Sequence, residues 1–140
     1  TALDGVCYNL HWDRDPQVIR LPTVQHLRTS FKGRLKIGSH ILQLLERLHP
    51  TPAVCGTPTD QALRAIRELE GDRGWYAAPV GWLDPKGEGE FSVAIRSALL
   101  AGEKATLFAG AGIVKGSDPD QEFRETELKF QPLFTALADS

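Results

Sequence analysis

The chain has 140 residues, of which 41% are hydrophobic and 24% charged, and its formal net charge is −2. This composition is typical of an ordinary globular protein with one domain and a core. It gives no reason to expect binding to nucleic acid or to an anionic membrane. The sequence contains no recognisable signal peptide, and no apolar run approaches the roughly 20 residues of a membrane-spanning helix.

The two cysteines indicate a reducing environment. Cys7 and Cys55 lie among apolar or small residues, and no CxxC metal-site spacing is present. We therefore expect a cytoplasmic protein rather than a disulfide framework. The chain contains no methionine and opens on Thr1, so its first residue need not be the point where translation begins.

The first quarter of the chain predicts a loop followed by a strand. Residues 11–16 are polar and end in proline, which indicates a loop. Residues 23–35 are rich in β-forming residues and predict one long strand, bent near Gly33. His26 lies within this predicted strand, where a histidine is more often packed or solvated than catalytic.

The next segment predicts two helices joined by a stiff connection. Ser39 is a suitable N-cap for a helix over residues 40–48. Residues 49–58 contain three prolines and a glycine, which favour an extended path of fixed shape. This connection is either a simple rigid link or a segment whose shape matters to function. Residues 58–70 predict the second helix, with Thr57 as its cap.

From residue 75 onward the pattern changes to an antiparallel meander. Residues 75–83, 90–100 and 105–114 predict three strands separated by short turns. Arg96 interrupts the apolar run of the second strand, so it either reaches a solvated face or pairs with an anion. A final helix from Pro119 to about residue 138 is expected to pack on the sheet, which makes the chain one α+β unit.

Residues 107–129 are the segment most indicative of function, because they combine a strand, a glycine turn and a helix. The small residues Gly110, Ala111 and Gly112 allow a ligand to approach the backbone closely. Asp118 is a good N-cap for the helix that follows. This helix carries an apolar stripe that is expected to face a core, formed by Phe123, Phe130, Phe134 and Leu137.

The same helix places Glu122, Glu125 and Lys129 on one face, at positions i, i+3 and i+7. Acids in a first helical turn stabilise the helix dipole, and Glu125 with Lys129 is an ordinary i,i+4 pair. Alternatively, the stacked carboxylates bind a divalent metal, while backbone N–H groups of the glycine turn hold an anionic substrate. Spacing alone favours the first interpretation and leaves the second open.

Five sequence blocks, in the right order and covering nearly the whole chain, resemble the chorismate-utilising enzymes. They are LPTVQHLRTSFKGRL at 21–35, HPTPAVCGTP at 49–58, RGWYAAPVGW at 73–82, GEGEFSVAIRSAL at 87–99 and AGAGIVKGSDPDQEFRETELK at 109–129. Within this family the chain most resembles the isochorismate synthases.

The resemblance implies two stacked β-sheets flanked by helices, with the active site between them. The chain would be the C-terminal part of a single chorismate-binding catalytic domain. The resemblance also implies Mg²⁺ as cofactor, with Glu125 as a ligand and Glu122 as a second acid at the metal site, direct or through water. Substrate-binding roles are implied for His26, Ala53, Tyr76, Arg96, Gly110, Ala111, Gly112 and Lys129.

The stiff connection at 49–58 favours one reaction within the family. Enzymes that aminate chorismate usually carry a PAGTLSGAP-like run there, and this chain has Ala53 where they place a threonine. The resemblance therefore favours isochorismate synthase, which moves the chorismate hydroxyl from C4 to C2, over anthranilate or aminodeoxychorismate synthase. A salicylate synthase stays an alternative, as does a non-catalytic module that binds a dicarboxylate. The residues do not distinguish quinone synthesis from siderophore or salicylate synthesis.

The family's catalytic lysine base, its glutamate acid and a further metal-binding glutamate lie upstream of these blocks, in considerably longer enzymes. We therefore expect the N-terminal remainder of the same enzyme to be a partner of this chain. We expect no catalytic acid or base within the chain and no turnover by it alone.

Overall fold

A computed structural model describes residues 2–20 and 25–138. The chain divides into two units, Thr1–Leu48 and His49–Ser140, and each contains helical structure and antiparallel strand pairs. The predicted α+β class is thus confirmed.

The first unit contains two antiparallel strand pairs and a helix in its described residues. The pairs are β1 with β4 and β2 with β3. The elements are β1 Cys7–Trp12, β2 Gln17–Arg20, β3 Gln25–Arg28, β4 Phe31–Leu35 and α1 Ile41–Leu48.

The single long strand predicted over residues 23–35 is wrong, because β3 and β4 pair with different partners. Between them Ser30 donates its N–H to Asp13 Oδ2 at 3.4 Å, and Asp13 donates its N–H to Ser30 O at 3.1 Å. This contact interrupts the strand upstream of the bend that was predicted near Gly33. The first two residues of the predicted strand lie outside the described part of the chain. The loop predicted over 11–16 is shorter than expected, because β1 continues through Trp12.

The helix α1 forms where it was predicted, but its cap is one residue later than Ser39. Leu42 donates its N–H to His40 Nδ1 at 3.3 Å, and His40 donates its N–H to Gln43 Oε1 at 2.9 Å. These two reciprocal bonds form a capping box with histidine at the N-cap. The prediction was wrong because histidine is not among the residues usually ranked as caps.

The second unit contains two hairpins and three helices in its described residues. The hairpins are formed by β5 with β6 and by β7 with β8. The elements are α2 Pro52–Cys55, α3 Thr59–Leu69, β5 Pro79–Leu83, β6 Gly89–Val93, β7 Ser97–Ala101, β8 Lys104–Phe108 and α4 Pro119–Ala138.

Two hairpins replace the predicted three-strand meander. The strand predicted over 90–100 breaks at Arg96, whose φ of 48° lies in the left-handed region and takes the backbone out of the strand. The strand predicted over 75–83 begins only at Pro79, because the preceding residues form a turn. That turn is joined to the β5–β6 hairpin by hydrogen bonds of 2.8 Å from Ala77 N–H to Ala94 O and from Ala94 N–H to Ala78 O.

The connection at 49–58 is not extended throughout, since it contains the short helix α2. Within it, Gly56 donates its N–H to Pro52 O at 2.8 Å. The next helix, α3, begins at Thr59 with Pro58 at the cap position and no side-chain capping bond. The predicted cap at Thr57 is therefore wrong.

The helix α4 has the predicted bounds, and Asp118 caps it. Gln121 donates its N–H to Asp118 Oδ1 at 2.9 Å. The predicted apolar stripe is wrong, because Phe123 is 65% exposed and Phe134 55% exposed. The half-buried face of α4 consists instead of Glu122, Thr126, Lys129, Phe130 and Leu133.

Little of the apolar surface is buried. Among the described residues, the buried apolar side chains are Val6, Cys7 and Ala77. The chain exposes 11187 Å², whereas two separate compact units of these lengths would expose about 8,600 Å² together. Large side chains such as Trp82 and Leu100 are exposed on the hairpins. No helix among the described residues is both long enough and apolar enough to cross a membrane.

Candidate functional site

The glycine turn that follows β8 lies directly against Tyr76. A methyl group built on Gly110 would overlap the Tyr76 hydroxyl oxygen and lie 3.1 Å from the Tyr76 Cζ. A group does approach the Gly110 backbone closely, which explains the glycine at this position. The approaching group is the Tyr76 side chain, whereas the sequence analysis expected a ligand. A methyl group on Gly112 would meet no atom of the described residues within 4 Å.

The ring of Tyr76 is held between two other side chains. It stacks on Phe108, with ring centroids 6.3 Å apart and an interplanar angle of 12°. The guanidinium of Arg73 lies 5.4 Å from the centroid of the Tyr76 ring, within the range of a cation–π contact. The tyrosine predicted to line a substrate cavity is thus fixed next to the predicted anion-binding turn.

Lys129 joins the helix α4 to this turn. Its Nζ donates to Gly110 O at 2.8 Å and lies 2.5 Å from Glu125 Oε1. The predicted i,i+4 pair between Glu125 and Lys129 is therefore formed. An ammonium group has three donor hydrogens, and these two contacts account for two of them.

The contact from Lys129 also sets the orientation of the next peptide group. The C=O of Gly110 and the N–H of Ala111 belong to one planar trans unit and point in opposite directions. Because Gly110 O accepts from Lys129, the N–H of Ala111 points away from the ammonium group. The turn therefore presents a backbone donor on the side opposite Lys129.

Glu125 is surrounded by positive charge. The hydrogen bond from Lys129, with Coulombic contributions from Lys129 and then Arg96, lowers the pKa of the Glu125 carboxyl below its ordinary value. The effect of Arg96 indicates that its guanidinium lies within electrostatic range of α4. Arg96 is half-buried and adopts a left-handed φ without being glycine, a strained geometry that is common at functional sites.

The donor set of α4 fits a hard divalent cation. Glu122 lies one turn before Glu125 and is half-buried, while Glu125 is exposed and ionised. Mg²⁺ is usually bound by one or two carboxylates together with water and substrate oxygens, so two glutamates suffice from this helix. No group of three or more His, Cys, Asp or Glu side chains with metal-binding proximity occurs within residues 2–20 and 25–138.

Two further predicted site residues belong to other elements of the chain. Ala53 is an exposed residue of α2. His26 is an exposed residue of β3 in the first unit, where it lies opposite Ile19 of β2. The structure brings together Tyr76, the Gly110 turn, Glu125 and Lys129 in the second unit. Arg96 belongs to the same unit.

The sequence analysis did not identify three further residues at this site. Arg73 and Phe108 hold the Tyr76 ring, and the Ser97 hydroxyl next to Arg96 is buried without a hydrogen-bond partner among the described residues. Nothing in the sequence indicated the burial of Ser97.

Comparison with known proteins supplies the family. The profile of the family described as chorismate binding enzyme matches residues 1–138. The isochorismate synthase MenF of Bacillus subtilis is 47% identical over 137 residues, which are 97% of this chain and 29% of that protein. The salicylate biosynthesis isochorismate synthase of Pseudomonas aeruginosa is 51% identical over 139 residues, which are 99% of this chain and 29% of that protein.

A solved structure gives the same result for the fold. The crystal structure of DhbC from Bacillus anthracis, named as a 2,3-dihydroxybenzoate-specific isochorismate synthase, matches with a TM-score of 0.89 and 42% identity. The match covers 98% of this chain and 37% of that one. The predicted fold of the chorismate-utilising enzymes is confirmed, and the chain spans about a third of the length of the relatives it matches.

Proposed function

We propose a function from the premise that this chain belongs to the chorismate binding enzyme family. The chain is the C-terminal part of an isochorismate synthase and supplies a substrate-binding and metal-binding surface to a single catalytic domain. The full-length enzyme converts chorismate to isochorismate. The names of relatives 47% and 51% identical to this chain support that reaction.

The observation that carries the proposal is the meeting of opposite charges at the glycine turn. Lys129 contacts both Gly110 O and Glu125, and Arg96 acts on Glu125 through space. Cationic groups and backbone N–H donors suit a dicarboxylic acid such as chorismate, while ionised glutamates suit Mg²⁺. A surface with both features is what a metal-dependent chorismate enzyme requires.

Each residue has a role in holding the substrate. The planar guanidinium of Arg96 binds one carboxylate through two parallel hydrogen bonds. The N–H groups of Ala111 and Gly112 bind the second, on the side of the turn opposite Lys129. Tyr76 forms one wall of the cavity, and the exposed His26 and Ala53 contribute as the family resemblance implies.

Mg²⁺ is part of the proposal, held by Glu125 and, directly or through water, by Glu122. When bound it neutralises a substrate carboxylate and fixes the ring in one orientation. A metal ion binds the ionised form of a carboxylate, and the contact with Lys129 lowers the pKa of Glu125, which favours that form.

The acid and base of the reaction belong, in this proposal, to the N-terminal remainder of the enzyme. A base activates the water that adds at C2, and an acid protonates the hydroxyl that leaves from C4. The large exposed apolar area of this chain supports a remainder that covers it. The chain alone would then bind weakly and have no turnover. The two free thiols, Cys7 and Cys55, support a cytoplasmic location.

Product analysis of the full-length protein tests this proposal. The protein is incubated with chorismate and Mg²⁺, with and without ammonia, and the products are separated by chromatography. Isochorismate as the first product, independent of ammonia, is expected. Salicylate with release of pyruvate would make it a salicylate synthase, and ammonia-dependent anthranilate or aminodeoxychorismate would make it an aminating enzyme. Binding of chorismate without any product would support a non-catalytic module.

A further inference from the structure

One side chain outside the proposed substrate-binding set connects the helices of the second unit to Tyr76. Arg73 lies just after α3 and is half-buried, and it contacts Glu70, Val54 and Tyr76 of the same unit. It has no part in the sequence-based site and no place among the substrate or metal ligands. Through Tyr76, however, Arg73 is connected to the glycine turn.

The guanidinium of Arg73 forms a two-pronged pair with Glu70. Nε donates to Glu70 Oε2 and Nη2 donates to Glu70 Oε1, each at 2.7 Å. The hydrogen bond to Glu70, stronger than the opposing effect of burial, raises the pKa of Arg73 above its ordinary value. Parallel bonds of this kind fix the plane of a guanidinium as well as its position.

The remaining nitrogen of Arg73 reaches a third segment. Nη1 donates to Val54 O at 2.8 Å, which ties the guanidinium to the short helix α2. The Cζ of the same group lies 5.4 Å from the centroid of the Tyr76 ring. One planar group therefore joins α2, the end of α3 and Tyr76, and its orientation is determined by Glu70 and Val54 O.

Tyr76 transmits this orientation to the turn. Its ring is packed against Phe108 at the end of β8, and its hydroxyl fills the space that a side chain on Gly110 would occupy. Gly110 O is held from the other side by Lys129. A shift of the Tyr76 ring would carry its hydroxyl with it and change the space beside Gly110. The Gly110 peptide group, which includes the adjacent N–H donor, could then shift as well.

We propose that Arg73 is a positioning residue, which holds Tyr76 against Gly110 through its paired contacts with Glu70 and Val54 O and so sets the geometry of the substrate-carboxylate site. This inference rests on the proposed function, because it assigns Arg73 to the same chorismate-binding surface. It predicts that Arg73 affects catalysis only through Tyr76.

A double-mutant cycle in the full-length protein tests the inference. In the natural background, Arg73→Gln lowers kcat/KM for chorismate by about tenfold, because a small displacement of a binding group has a large effect on rate. In a Tyr76→Leu background, the same change lowers kcat/KM by less than about twofold, since the group that Arg73 positions is gone. Equal effects of Arg73→Gln in both backgrounds would overturn the inference, because a purely structural role does not depend on Tyr76.

Three further variants keep the test independent of misfolding. Arg73→Lys keeps the positive charge but lacks the planar guanidinium that forms two parallel hydrogen bonds, so it does not restore wild-type kcat/KM. Glu70→Gln, at an exposed position, lowers kcat/KM in the same direction and adds little to Arg73→Gln. The matched control Arg64→Gln, on the exposed face of α3, leaves kcat/KM unchanged. Full activity in Arg73→Lys or Glu70→Gln would overturn the inference.

The two proposals fail in different ways. If the wild-type protein makes a product other than isochorismate, the proposed reaction is wrong, and the same cycle is measured on that product. If it binds chorismate without turnover, the cycle is measured by calorimetry, as the change in chorismate Kd. If it neither binds nor converts chorismate, both proposals are wrong.

Discussion

The close approach of Tyr76 to Gly110 makes a sharp prediction about two neighbouring glycines. Gly110→Ala places a methyl group where it overlaps the Tyr76 hydroxyl oxygen and lies 3.1 Å from Cζ. Gly112→Ala places the same methyl group in open space. The two substitutions have the same chemistry and lie two residues apart, so their difference isolates the contact with Tyr76.

The expected cost follows from how firmly Tyr76 is held. Relief of the overlap requires the hydroxyl to move by about 1 Å, to an ordinary carbon–oxygen separation. The ring cannot move freely, because Phe108 stacks on it and Arg73 lies 5.4 Å from its centroid. Insertion of a methyl group into such a packed site lowers the free energy of unfolding by about 1–3 kcal/mol.

The control substitution is expected to have the opposite sign. Gly112 does not adopt a left-handed φ and a methyl group there meets no neighbour within 4 Å. Gly112→Ala therefore raises the free energy of unfolding by up to about 1 kcal/mol, because alanine restricts the unfolded chain. Urea-induced unfolding of the full-length protein measures both values.

A second substitution identifies Tyr76 as the cause. Tyr76→Phe removes the hydroxyl that the new methyl group meets, so the cost of Gly110→Ala is at least halved in a Tyr76→Phe background. The reasoning is refuted if Gly110→Ala is as stable as Gly112→Ala, or if its cost is the same with phenylalanine at position 76.

Two further predictions concern α4. Asp118→Ala removes the acceptor for the Gln121 N–H and lowers the free energy of unfolding by about 1 kcal/mol, whereas Asp118→Asn retains an acceptor and lowers it less; equal losses in urea unfolding would contradict the cap. Because pairing with Lys129 lowers the pKa of Glu125, the contribution of the pair is fully present above the ordinary pKa of 4.5 and is lost as the pH falls through the lowered value. The stability difference between wild type and Glu125→Gln should therefore be constant near neutral pH and shrink under acid conditions, and a difference that grows in acid would contradict the assigned direction.

The parts of the fold that were predicted correctly depend on local signals. The bounds of α4 follow from Asp118 and Pro119, whose effects act within one helical turn. The ion pair between Glu125 and Lys129 likewise depends only on helical spacing. The assignment to the family required several motif blocks in order, because no single block is specific enough.

The parts that were missed depend on contacts between distant residues. β3 and β4 are separated by the contact of Ser30 with Asp13, two residues that lie 17 positions apart in the sequence. The strand breaks at Arg96 because this residue adopts a left-handed φ. The sequence gives no sign of this, since the residue is not a glycine. The apolar stripe of α4 was placed on the wrong face because the half-buried face carries Glu122 and Lys129, which a hydrophobicity pattern assigns to solvent.

The site was predicted as a set of residues but not as an arrangement. Arg96 and the Gly110 turn were proposed from the residue pattern and from the resemblance, and Tyr76 from the resemblance alone, and their substrate-binding roles stay predictions. The packing of Tyr76 on Gly110 became visible only in the structure. The role of Arg73 could not be predicted, because it depends on the joint geometry of Glu70 and Val54 O. The roles of Glu122 and Glu125 toward a metal stay predictions.

The Mg²⁺ requirement of the full-length protein tests the central claim most directly. The rate of isochorismate formation is measured against Mg²⁺ concentration for wild type, Glu125→Gln and the control Glu127→Gln, an exposed acid on the same helix. We predict that Glu125→Gln raises the half-saturating Mg²⁺ concentration by at least about tenfold, as loss of a metal-site group does, while Glu127→Gln leaves it unchanged. An unaltered Mg²⁺ dependence in Glu125→Gln would remove Glu125 from the metal site and contradict the account.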